Sequence, residues 1–100
     1  RARASYARSL WLAGETDAGR RELETLVRDA PGEVLPRFLL AVLRDAAGDA
    51  DAAIADYRAV LAIDPDHEGA LGYLANLYYR LGDYSAAAAY FERAITSGEA

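Results

Sequence analysis

The sequence predicts an all-α fold of three stacked helix–turn–helix units. Three observations carry that reading. Gly14, Gly48 and Gly82 are spaced by 34 residues, and so are Ala7, Ala41 and Ala75, Leu23, Tyr57 and Phe91, and the pair Pro31 and Pro65. Four registers agreeing on one period mark an internal repeat. Alanine dominates a chain that is 53% apolar and 27% charged, while β-branched residues are sparse. That balance favours helix, because alanine loses least entropy on entering one. Finally, apolar residues recur at helical steps and stop at glycine or proline.

Each helix follows from its own signals. Tyr6, Leu10 and Ala13 share a face of a first helix over about 2–13, which Gly14 stops by tolerating a left-handed backbone. Asp17 is the expected N-terminal cap of a second helix over 17–29, ended by Pro31, which lacks the N–H a helix interior needs. A third helix spans 34–47 and stops at Gly48. The fourth, over 51–63, takes Asp49 or Asp51 as its cap and ends before Pro65. A fifth over 68–81 stops at Gly82, and Asp83 caps a sixth over 84–97. Ala7, Ala41 and Ala75 are expected to face Gly19, Ala53 and Ala87, small residues on both sides letting paired helices approach closely. Leu23, Tyr57 and Phe91 would fill the gap toward the neighbouring pair.

The 34-residue unit resembles the tetratricopeptide repeat, over the whole chain. Its pattern runs through Leu71, Leu74-Ala75, Tyr78, Gly82-Asp83-Tyr84, Ala87, Phe91 and Ala94 in the third unit. The second supplies Leu40-Ala41, Gly48-Asp49, Ala53, Tyr57, Val60 and Pro65. The first supplies Tyr6-Ala7, Leu10, Gly14, Gly19, Leu23, Leu26 and Pro31. The resemblance implies one array of repeats at about 1–33, 34–67 and 68–100, forming a short right-handed α-solenoid. Two positions depart from the pattern. Arg44 stands where Leu10 and Tyr78 stand in the other units; its stem is expected to pack and its guanidinium to reach an acid such as Asp56 or solvent, with a ligand as the alternative. Glu99 replaces the terminal proline.

Functionally, the resemblance implies a scaffold that holds another protein. The family's concave groove is lined by the first helix of each repeat. Matching positions are Arg1, Ala4, Arg8, Trp11 and Leu12, then Leu35, Phe38, Val42 and Asp45, then Gly69, Gly72, Asn76 and Tyr79, with Arg80 at the rim. Trp11, Phe38 and Tyr79 would make that groove apolar, suited to a peptide or helix of a partner. The competing reading has Trp11 and Phe38 simply packing. The family's clamp for acidic chaperone tails is not expected: its Lys, Asn, Asn, Lys and Arg positions hold Ala4, Arg8, Leu39, Gly69 and Tyr73.

Several classes are disfavoured. The net charge is −5, with residues 51–100 carrying three Arg against eight acids, which repels nucleic acid. The first thirteen residues hold Arg1, Arg3 and Arg8 and no acid; a basic start and an acidic end would favour head-to-tail contact between copies, the alternative being solvated faces. All eleven basic residues are arginine, which reads as coding bias of a GC-rich genome. Cysteine is absent, excluding disulfides and thiol chemistry without deciding between cytoplasm and periplasm. No run has the length of a membrane span. The Asp64-Pro65-Asp66-His67-Glu68-Gly69 run opens like a calcium loop but carries Ala75 where the bidentate glutamate belongs, and one His without Cys makes a poor zinc set. Ser5, Ser9, Ser85 and Ser97 have no nearby histidine base, so no catalytic residue, cofactor or metal is expected. Leu77, Leu81, Tyr84 and Ile95 are expected on an uncovered C-terminal face. With no initiator methionine, the chain reads as part of a longer protein with further repeats, or as a self-associating module. An accessory segment of a larger enzyme is the third reading.

Overall fold

The computed structural model describes residues 2–99. Six helices run in order: α1 (Ala2–Leu12), α2 (Thr16–Asp29), α3 (Val34–Ala46), α4 (Ala50–Ile63), α5 (Glu68–Leu81) and α6 (Tyr84–Glu99). Among the described residues there is no strand. The helices pair as three hairpins, α1–α2, α3–α4 and α5–α6, stacked so that α3 packs on α2 and α5 on α4.

The period in the sequence is a period in the turns. Gly14, Gly48 and Gly82 have φ of 94°, 85° and 86°, the left-handed region open to a residue without Cβ. Each closes a Schellman turn: Glu15 N–H donates to Leu10 O, Asp49 N–H to Arg44 O and Asp83 N–H to Tyr78 O, at 2.8, 2.9 and 3.0 Å. The other turn type is built on proline. Glu33 N–H donates to Ala30 O and His67 N–H to Asp64 O, each at 3.1 Å, with Pro31 and Pro65 at the second turn position. The helices end two residues before each proline, because the preceding residue is pushed out of the helical region.

One cap differs from expectation, and one was not anticipated. The residue preceding α2 is Glu15 and makes no side-chain cap; Asp17 lies inside the first turn, where its charge still favours the helix N-terminus. At α5 the cap is His67, whose Nδ1 accepts from Ala70 N–H at 3.0 Å. Asp49 and Asp83 cap α4 and α6 as expected, accepting from Ala52 and Ala86 N–H.

Packing follows the small residues. Ala7, Ala41, Ala53 and Ala75 are fully buried and Ala87 nearly so. A Cβ on Gly19 would lie 2.8 Å from Ala7 O, so the first hairpin closes tightly because nothing larger stands there. Leu23 and Tyr57 are buried under the following hairpin, whereas Phe91 is 38% exposed. Leu81, Tyr84 and Ile95 are exposed on the C-terminal face. Leu77 is not: it is 2% exposed, since its side of α5 turns back toward α3–α4, as Leu43 turns back toward α1–α2.

Candidate interaction groove

An open groove of about 800 Å³ lies between α3 and α5, lined by Val42, Asp45, Ala46, Tyr57, Gly72, Tyr73, Asn76 and Arg80. The register explains its place. One repeat earlier, the positions of Asp45 and Gly72 are held by Trp11 and Phe38. Smaller residues here leave room that larger ones would occupy. A Cβ on Gly72 would meet nothing within 4 Å, so no packing demand requires glycine there. Gly69 differs: its Cβ would press on Phe38 and His67 at 3.0 and 3.2 Å.

The wall is aromatic. Tyr73 is half exposed and stacks on Phe38 with centroids 5.6 Å apart, while Tyr57 meets Tyr73 edge-on at 6.3 Å. Phe38 also tilts against His67 at 4.9 Å. Tyr57 is fully buried, and its hydroxyl has no hydrogen-bond partner among the described protein groups. Burial pushes its pKa up, and the charge of Asp45 and the neighbouring Tyr73 push it further, against a smaller opposing effect of Arg80. It therefore stays a protonated donor throughout the physiological range.

Charge in the lining is confined to one pair. Arg80 Nη2 lies 2.7 Å from Asp45 Oδ2, and Arg80 Nε donates to Asn76 Oδ1 at 2.9 Å. The bridge ties α3 to α5 across the hairpin boundary. The Asp45 side chain is 17% exposed and that of Arg80 52%, so the acid is the sheltered partner and the arginine the one open to water.

A second polar cluster lies inside the second hairpin. Arg44 donates to Asp56 at 2.7 Å and to Glu24 at 3.0 Å, and Arg37 lies 3.6 Å from Asp56. Burial opposes the charge of Arg44, but its bonds to the two acids outweigh that and raise its pKa. The expected Arg44–Asp56 contact is therefore present, and the guanidinium is committed to protein acids on both sides.

The groove positions drawn from the sequence separate into groups. Val42, Asp45, Gly72, Asn76 and Arg80 come together in the lining, with Phe38 stacked behind Tyr73. Trp11 packs instead against the cluster of Ala4, Ala7, Leu23, Leu39, Leu40 and Leu43. Arg8, Leu12 and Leu35 are exposed and outside this lining. Tyr79 packs on Tyr84 at 5.4 Å, toward the C-terminal face. Arg1 lies outside the described residues. Sequence reasoning missed Tyr57, Tyr73 and Ala46 as lining residues. For Ala46 a signal existed, since it stands one period before Arg80. Among the described residues no three His, Asp or Glu side chains cluster to hold a metal, and no helix is long and apolar enough to cross a membrane.

Family models described as tetratricopeptide repeat match residues 5–68 and 46–97. Over 86 residues the chain is 34% identical to a probable biofilm formation methyltransferase, WspC, of Pseudomonas putida; this covers 86% of the chain and 20% of that protein. It is thus similar to only a fifth of that relative's length. Among solved structures, a crystal structure of MamA superposes with a TM-score of 0.90 at 22% identity, over 93% of this chain and 54% of that one. The Yersinia enterocolitica type III secretion chaperone SycD, in complex with a peptide of the translocator YopD, superposes at 0.89 with 18% identity, over 95% and 72%. At these identities the two structures share the fold.

Proposed function

The chain belongs to the tetratricopeptide repeat family, and from that footing we propose that it is a non-catalytic scaffold holding a peptide or helix of a partner protein in the groove between α3 and α5. The observation that carries the reading is the groove itself: an aromatic wall, one displaceable ion pair and a glycine-opened backbone, contributed by two consecutive repeats. A surface combining apolar bulk with a few placed polar groups suits segment recognition. SycD, of the same fold, is a chaperone that binds a peptide, which favours the reading by analogy. Val42, Asp45 and Asn76 would touch the segment, with Phe38 holding Tyr73 in place. Arg8 and Leu35, both exposed, would extend the surface along the array, while Trp11 and Tyr79 are taken up in packing. A place beside a catalytic unit in a longer protein is consistent with this, and the methyltransferase relative favours it.

The test is affinity capture from lysate with the wild-type chain and an Ala46→Trp variant. Ala46 is exposed and lines the groove from α3, so tryptophan there obstructs it without disturbing the core. A partner retained by wild type and lost by the variant is the expected result. Equal retention by both overturns the reading.

A second reading has its own observation. Phe91 is 38% exposed where Leu23 and Tyr57, its counterparts, are fully buried, and Leu81, Tyr84 and Ile95 are each more than half exposed beside it. Such a patch favours association. Light scattering over a dilution series is expected to show mass rising with concentration, and Ile95→Glu to abolish the rise. A strict monomer at the highest concentration contradicts self-association through this face.

A further inference from the structure

We infer that the segment bound in this groove carries a basic side chain, arginine or lysine, which takes Asp45 away from Arg80; this rests on the groove reading above. Asp45 is a preformed acceptor. It sits on α3 with its carboxylate mostly buried, and the cation it holds comes from the end of α5 on a side chain that is 52% exposed. Arg80 can swing into water at little cost, whereas Asp45 cannot follow it. The internal arginine thus occupies the place of an incoming one.

Charge agrees with that direction. Asp45 and Arg80 are the two charged residues of the lining and cancel one another while paired. Beyond the lining, residues 51–100 of the sequence carry three Arg against eight acids, and the whole chain is −5. A field of that sign draws cationic segments and repels acidic ones. The wall suits a cation as well. Tyr73 offers a half-exposed ring in the same lining as Asp45, and ring faces attract guanidinium and ammonium groups within about 6 Å. Asn76 loses its bond to Arg80 when that side chain leaves, and its carboxamide is then free for the main chain of the segment. Gly72 leaves the α5 backbone open to close approach there.

The experiment selects random dodecapeptides displayed on phage against the wild-type chain. The recovered peptides are then titrated against wild type, Ala46→Trp, Asp45→Asn and Arg80→Ala, each checked by circular dichroism to be folded. The expected peptides share a basic residue and fail to bind Ala46→Trp. Their affinity falls about tenfold or more on Asp45→Asn, the loss of a hydrogen bond to a charged group. It rises about two- to fivefold on Arg80→Ala, because an exposed competing ion pair has been removed. Peptides that Ala46→Trp blocks but that lack a basic residue, ignore Asp45→Asn or weaken on Arg80→Ala overturn this inference and leave the groove reading standing. Peptides indifferent to Ala46→Trp, or no binders at all, overturn both.

Discussion

Glycine has three different meanings in this chain. Gly48 and its two counterparts serve backbone conformation, Gly19 serves close approach and Gly72 serves neither. Gly19→Ala presses a methyl onto a backbone oxygen that cannot yield, and is expected to destabilise by about 1–3 kcal/mol. Gly72→Ala meets nothing, relieves the entropy cost of a helix-interior glycine, and is expected to stabilise by roughly 0.5–1 kcal/mol. Thermal unfolding of the two variants shows opposite shifts in Tm if these assignments hold. Tyr57 offers a pH-dependent test. Tyrosine in an unfolded chain titrates near 10, and burial raises Tyr57 above that. Its contribution to stability is therefore intact below about pH 10 and is lost as pH rises toward the folded value, since the unfolded chain then releases a proton that the folded chain keeps. Tyr57 is expected to resist ionisation in an absorbance titration until the fold opens, and Tyr57→Phe is expected to flatten the alkaline limb of stability.

The helices were legible because each carries its own start and stop. Expected spans and observed ones differ by no more than two residues at any end, since glycine and proline act on local backbone alone. The side chains that join helices were less legible. Arg44 reaching Asp56 could be anticipated from the oddity of an arginine at an apolar repeat position. Arg37 joining the same acid could not, because its role depends on how α3 is rotated against α4. Asp56, 4% exposed between two arginines, fastens these helices, and through Glu24 the cluster reaches α2. Asp56→Ala is expected to cost roughly 3 kcal/mol, the lower end for removing one partner of a buried ion pair, because both arginines keep some contact with water. Urea unfolding measures it, and a loss below about 1 kcal/mol would reduce the cluster to an ordinary surface pair.

Across the whole molecule, the two ends of the stack differ in a way the repeat register makes plain. Leu39 and Leu43 of α3, and Tyr73 and Leu77 of α5, stand where α1 carries Ser5 and Ser9. Leu39, Leu43 and Leu77 are buried against the preceding hairpin, while both serines are exposed. The outer side of α1 therefore presents Ser5, Ser9 and the exposed ring of Tyr6, and is less apolar than the C-terminal face with Leu81, Tyr84, Phe91 and Ile95. The groove was half legible for a related reason. Repeat positions on α3 and α5 named Val42, Asp45 and Asn76, but the room between them exists because Asp45 and Gly72 replace bulk found one unit earlier, and Tyr57 enters the lining from α4. Those are properties of two repeats in contact, which a single repeat does not display.

The most direct test of the central claim is amide chemical-shift mapping of the nitrogen-15-labelled chain during titration with a bound peptide. Shifts are expected to concentrate at Val42, Asp45, Gly72, Tyr73 and Asn76, leaving Leu81, Tyr84 and Ile95 unmoved. Shifts confined to that C-terminal face, with the groove silent, would contradict it and make the apolar end the working surface.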